Sequence, residues 1–188
     1  MKNTDYFNWL MTRSLKGLIY RNFFLYPKIK KFTDLPVADV GCGIGDFLKF
    51  YKDKVIGYDV NEDCINYCNS QNLNAILMKF NEIPAEDLKF NSVILDNVLE
   101  HIHNPIPLLN ECHRVLNIKG KLIVGIPGEK GFLADIDHKV NYLDEDLINV
   151  VEKLGFRLET IFYTPFKSAF FNKYLSQYCR YFVFYKKV

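Results

Sequence analysis

Val37-Ala38-Asp39-Val40-Gly41-Cys42-Gly43-Ile44-Gly45-Asp46-Phe47 carries a short apolar strand directly into three alternate glycines and then into a helix. Glycine at every second position lets a main chain approach a bound ligand closely, because no Cβ intervenes and positive φ costs little. The helix opening near Asp46 points its unpaired N–H groups at the same place. A second apolar run, Val55-Ile56-Gly57-Tyr58-Asp59, ends in a carboxylate. An acid at that strand tip is placed to accept hydrogen bonds from both hydroxyls of a ribose. The glycines do not follow the G-x-G-x-x-G pattern of a dinucleotide site, since position 46 is Asp46. Asp39, inside the first strand, repels a pyrophosphate and suits a cation. A nucleoside carrying an ammonium or sulfonium group fits these residues better than one carrying a diphosphate.

The rest of the chain alternates strand and helix. A helix is predicted over about 46–52, and another begins at Asn61, whose side chain can cap it while Glu62 and Asp63 favour its N-terminal dipole. Cys64, Ile65 and Cys68 should face the core. Strands are predicted over 75–79, 92–96, 121–126, 156–163 and 181–185. Helices are expected from Pro105 or Pro107 to Leu116, and from Asp144 to Leu154, where Gly155 ends the second. This order calls for a mainly parallel sheet with helices on both faces. Before it, residues 5–24 read as one amphipathic helix with Phe7, Leu10, Met11, Leu15, Leu18 and Ile19 on a shared stripe. Residues 128–143 and 164–180 read as long irregular stretches near the carboxyl ends of the strands, where open α/β sheets bind ligands.

These residues resemble the class I S-adenosylmethionine-dependent methyltransferases. The likeness continues through Phe90-Asn91-Ser92-Val93-Ile94-Leu95-Asp96-Asn97-Val98-Leu99-Glu100-His101-Ile102-His103-Asn104-Pro105 and through Asn117-Ile118-Lys119-Gly120-Lys121-Leu122-Ile123-Val124-Gly125-Ile126-Pro127. It covers roughly residues 35–163, and the Leu99-Glu100-His101 loop is similar to that of the quinone-biosynthesis and sugar methyltransferases. The resemblance implies a three-layer αβα Rossmann-like fold with a seven-stranded sheet in the order 3-2-1-4-5-7-6, strand 7 antiparallel. It implies one methyltransferase domain over 1–188, with a helical cap (1–34), a cofactor-binding core (35–163) and a basic aromatic end segment (164–188). It also implies S-adenosylmethionine as cofactor and S-adenosylhomocysteine as product.

Residue by residue, the likeness puts Gly41, Cys42, Gly43 and Gly45 around the methionine part of the donor, Asp39 at its ammonium and Asp59 at the ribose. Val60, Asn61, Phe80 and Asn81 would surround the adenine side, and Asp96 and Asn97 the donor's amino-acid part. Relatives place an Asp near positions 79–81, where this chain has Lys79, Phe80 and Asn81. Methyl transfer needs a nucleophile about 3 Å from the methyl carbon, opposite the departing sulfur, and is mainly a positioning problem. His101 is the first candidate base for a hydroxyl acceptor, with an ordinary imidazole pKa of about 6.5. The alternative is that Glu100 and His101 brace their loop. His138, in Asp137-His138-Lys139, is the second candidate, its alternative being a plain loop histidine. No metal is expected, because His101 and His103 fall on opposite sides of an extended segment.

Composition bounds the rest. The chain has 188 residues, 49% of them apolar, which is enough for one core. It shows neither a long apolar run nor a leader at its start, so a soluble cytoplasmic protein is expected. Five cysteines without paired C-x-x-C spacing argue against a disulfide framework or a zinc ribbon. The net charge of +2 conceals two ends of +5 each, over 1–34 and 164–188, around a middle of −8. Such ends predict a small anionic acceptor: a sugar, a nucleotide-linked sugar or a lipid-linked saccharide, in polysaccharide biosynthesis. They also leave open peripheral contact with an anionic membrane through the aromatic stripe of 166–182. The alternatives are a silent scaffold that keeps the fold, or a nucleic-acid methyltransferase, for which no recognition motif is present. No G-x-S-x-G elbow points to a hydrolase.

Overall fold

The computed structural model describes residues 3–12, 14–51 and 54–188. Seven strands form one sheet: β1 (Val37–Val40), β2 (Val55–Asp59), β3 (Ala75–Leu77), β4 (Phe90–Asp96), β5 (Leu116–Pro127), β6 (Phe156–Thr164) and β7 (Cys179–Lys186). Their order is β3-β2-β1-β4-β5-β7-β6. The first five run parallel, and β7 enters antiparallel to both β5 and β6, with Ile123 opposite Val183 and Phe162 opposite Tyr181. The order and the orientation of β7 agree with what the resemblance implies.

Alternation along the central strands divides the core in two. Val93 and Leu95 of β4, Leu122 and Val124 of β5, and Phe182 and Phe184 of β7 pack on one side with Leu109 and Cys112 of α6 (Ile106–Val115) and Leu147 and Val151 of α8 (Asp144–Glu152). The intervening Ile94, Ile123, Tyr181 and Val183 face the other side. There they meet Tyr26 and Ile29 of α3 (Tyr26–Lys30), Phe47 and Leu48 of α4 (Asp46–Tyr51), and Ile65 and Cys68 of α5 (Glu62–Ser70). Burial on both faces explains why these strands read as near-continuous apolar runs rather than alternating ones. Gly125 is required by packing: a Cβ there would lie 2.4 Å from the Tyr181 ring and 2.9 Å from Asp96.

The amino-terminal segment departs from the single helix predicted over 5–24. It folds as α1 (Asn3–Met11), α2 (Leu15–Tyr20), a π-helical turn (Arg21–Leu25) and α3. Ser14 restarts the chain by accepting the Gly17 N–H at 3.2 Å, as a helix N-cap does. Pro27 lacks an N–H to continue an α ladder, and the preceding turn widens instead. As a result the stripe is not a core face. Leu10 is fully buried against Ile44 and Cys64, with Phe7 beside it, but Met11, Leu15, Leu18 and Ile19 are exposed.

The two stretches read as irregular each hold a short helix, α7 (Glu129–Leu133) and α9 (Ala169–Tyr174). Ser168 caps α9 by accepting the Phe171 N–H. The end predicted for α4, Lys52, lies outside the described residues. No helix among the described residues is long and apolar enough to cross a membrane.

Candidate functional site

The site forms where β1 and β4 end. Gly41, Gly43 and Gly45 hold φ values of +81°, +52° and +74°. At Gly41 a Cβ would also lie 2.5 Å from Val98, so both conformation and space require glycine. The turn is tied to the tip of β2. Tyr58 O accepts the Gly41 and Cys42 N–H groups at 2.7 and 3.1 Å. The buried Asp59 carboxylate accepts the Gly43 N–H through Oδ2 and the Asn61 N–H through Oδ1, both at 2.8 Å. Burial pushes the Asp59 carboxyl up, and these amides work against that shift.

Asp39 is buried, and desolvation holds its carboxyl well above the usual carboxylate range, with Asp96 and Asp59 adding repulsion. On β4, Asp96 Oδ1 accepts the Tyr181 O–H at 2.6 Å and the Asn97 side-chain N–H at 2.9 Å. Tyr181→Phe is expected to lower the unfolding free energy by about 1.5–3 kcal/mol, the range for a hydrogen bond to a charged group. The denaturant midpoint checks this, and a midpoint within error of the parent's would show that the bond contributes nothing net.

After β4, a 3₁₀ turn (Leu99–His101) carries Glu100 and His101. Glu100 O accepts the Lys139 and Val140 N–H groups at 2.7 and 3.0 Å, which pins the 137–140 segment and with it His138 onto this turn. The His101 and His138 rings lie 4.7 Å apart. Burial and then the His138 ring lower the His101 pKa, so the imidazole is neutral at pH 7. The Glu100 carboxyl is 1% exposed, and burial followed by repulsion from Asp96 and Asp135 pushes it up to about 8.

Two adjoining cavities receive these groups. The larger, about 400 Å³, is lined by Asp39, Gly41, Cys42, Gly43, Asp96, Asn97, His101 and His138. The smaller, about 210 Å³ and mostly apolar, is lined by Asp59, Val60, Phe80, Asn81, Asn97 and His101, with Met78, Val98 and Leu108. Two of the expected ligand residues line neither. Gly45 packs where a Cβ would meet Leu73 at 2.7 Å and Cys68 at 2.9 Å, and Asn61 spends its side chain on the Cys64 N–H as the cap of α5.

The sequence reading missed the wall that the amino-terminal helices supply: Tyr6, Trp9, Tyr20 and Arg21 line the larger cavity, as does Asp135 opposite. The aromatic residues Tyr6 and Trp9 near the start of the sequence were the signal available; their rings stack at 6.0 Å. Among the described lining residues Arg21, 3.5 Å from Asp46, is the one Lys or Arg, against Asp39, Asp46, Asp96 and Asp135. Lys167, Lys173 and Arg180 line neither cavity. Arg180 pairs with Asp144, and the other two sit over the Tyr163 and Tyr174 rings. These three carboxyl-terminal cations therefore do not form part of the described walls of either cavity.

Residues 38–124 match the model of a family described as a methyltransferase domain. The chain is 28% identical over 130 residues to an uncharacterised protein of Methanocaldococcus jannaschii, covering 63% of each. It is 29% identical over 114 residues to a probable S-adenosylmethionine-dependent methyltransferase of Mycobacterium tuberculosis, covering 58% of this chain and 42% of that one. The chain thus spans between about two fifths and two thirds of the length of these curated relatives. Among solved structures it superposes on an Archaeoglobus fulgidus SAM-dependent methyltransferase with a TM-score of 0.74 at 22% identity, covering 96% of this chain and 99% of that one. The fold is that of S-adenosylmethionine-dependent methyltransferases of known structure.

Proposed function

We propose that this chain is an S-adenosylmethionine-dependent methyltransferase acting by in-line displacement on a hydroxyl or amine of a small acceptor. The observation that carries the reading is the pair of cavities meeting at Gly41, Asn97 and His101. The smaller, with a carboxylate at one end and apolar walls, suits an adenosine. Asn81 Oδ1, buried there without a hydrogen-bond partner, suits the adenine amino group. The larger cavity holds Asp39 for the ammonium and leaves the imidazoles of His101 and His138 for the acceptor. Methyl transfer discharges the sulfonium, and the acceptor's proton leaves toward these imidazoles, which are suited to general base work.

Among the described residues lining the larger cavity, four carboxylates against one guanidinium favour a neutral or cationic acceptor over the anionic sugar that the charged ends suggest. Isothermal calorimetry should show one site for S-adenosylhomocysteine and none for NAD; absence of the first would overturn the proposal. Methyl label from S-adenosylmethionine should enter amines and neutral polyols in preference to phosphorylated sugars or RNA. Label entering mainly the phosphorylated or RNA acceptors would overturn the acceptor class while leaving the cofactor reading intact.

A further inference from the structure

Glu100, His101 and His138 form an arrangement that a general base does not need. One ligand atom from each of the three lies within 4.8 Å of the others, and His138 Nε2 is 3.8 Å from Glu100 Oε1. Neither Glu100 carboxylate oxygen has a hydrogen-bond partner although the side chain is 1% exposed. Burying such a group without partners is costly, and buried charges are ordinarily paired or bound to metal. A structural glutamate would have recruited a donor at hydrogen-bonding distance.

The imidazoles are oriented to match. His101 Nδ1 lies 3.3 Å from Asp137 O and His138 Nδ1 lies 2.9 Å from Phe132 O. A carbonyl oxygen only accepts, so each Nδ1 donates its N–H there and Nε2 is the nitrogen left for a metal. Metal-bound histidines are held in this way, the second nitrogen donating to a main-chain carbonyl or a carboxylate. Asp135, 4.0 Å from His138 Nε2, adds negative charge beside the three.

We propose that Glu100, His101 and His138 bind a divalent first-row transition-metal ion, whose remaining positions open to the larger cavity and take the acceptor's oxygen or nitrogen. Two imidazoles and one carboxylate suit zinc or iron and not magnesium, which asks for oxygen donors. Ligand distances of about 2.0–2.2 Å at tetrahedral angles put donors about 3.3–3.6 Å from one another, so a spread of 4.8 Å needs a contraction of roughly 1.2–1.5 Å. His138 Nε2 and Glu100 Oε1, 3.8 Å apart, are already near that separation. The bound ion would draw electron density from the acceptor atom and ease loss of its proton to water, which would replace the base role of the two imidazoles once both are ligands. This role rests on the methyltransferase reading; the binding site itself does not.

Full-length protein stripped with a chelator and titrated with Co²⁺ should bind one equivalent, with visible d–d absorption and no thiolate charge-transfer band. Zn²⁺ should displace it. Glu100→Gln, His101→Ala and His138→Ala should each weaken Co²⁺ binding by at least about tenfold, the lower end of what even outer-shell losses cost. Circular dichroism and the thermal midpoint of the same samples report whether each variant is folded. No Co²⁺ binding, a thiolate spectrum, or equal affinity in folded variants would overturn the site. Residue-dependent Co²⁺ binding by a chain that takes no S-adenosylhomocysteine would leave the metal site standing and remove the methyltransferase reading; the reverse result would do the opposite.

Discussion

Asp59→Ala should lose S-adenosylhomocysteine binding by about a hundredfold or more, roughly 2.7 kcal/mol, and lose stability with it. The two effects have one origin. Both carboxylate oxygens already accept buried main-chain N–H groups, from Gly43 in the glycine turn and Asn61 at the start of α5. Alanine leaves two donors unsatisfied at about 1–3 kcal/mol each, which predicts a loss near 2–6 kcal/mol in denaturant titrations of the cofactor-free protein. It also frees the turn whose N–H groups and close backbone approach would hold the methionine part, and removes the acceptor for the ribose. Asp59→Asn keeps one acceptor oxygen and should fall between. A large stability loss with affinity within about threefold of the parent would reduce Asp59 to a brace. Lost affinity at unchanged stability would make it a ligand group alone.

This double use shows what was legible in the sequence and what was not. The parallel sheet could be read because Val93-Ile94-Leu95 and Leu122-Ile123-Val124 are apolar on both faces, and that pattern has few other solutions. The positions of Asp39 and Asp59 in β1 and at the end of β2, beside the glycine turn, could be read because they follow directly from the apolar runs that carry them. That Asp59 also braces the turn is a tertiary fact with no local signature. The meeting of His138 with Glu100 is of the same kind: it depends on Lys139 and Val140 donating to Glu100 O, a contact between distant segments. The spacing of His101 and His103 pointed away from a metal, and His103 is indeed exposed, but the second imidazole comes from another loop. Charge counts do not locate charge, for a related reason. Arg180 is consumed by Asp144 and by the carbonyls of Pro127 and Tyr142, so net charge over a segment says little about the field at a cavity.

Asp39→Asn should raise the stability of the cofactor-free protein while weakening cofactor binding by about 10- to 100-fold, the span of one charge-assisted hydrogen bond. Burial, Asp96 and Asp59 raise the folded-state pKa of Asp39 above the unfolded value of 3.8. Between those two values the folded chain holds a proton that the unfolded chain has released, so stability is fullest below pH 3.8 and falls as pH rises through the folded pKa. Asparagine keeps the shape and removes this loss. The donor's ammonium does the same by pairing with the ionised carboxylate, so parent affinity should fall as pH falls through the raised pKa, because binding must first expel the proton. Midpoints and S-adenosylhomocysteine affinities across acidic to neutral pH should therefore run in opposite directions in the parent, and both slopes should flatten in the variant. A variant less stable than its parent, or one that keeps the parent's pH slope in affinity, would show that Asp39 is a structural acid and that the ammonium lies elsewhere.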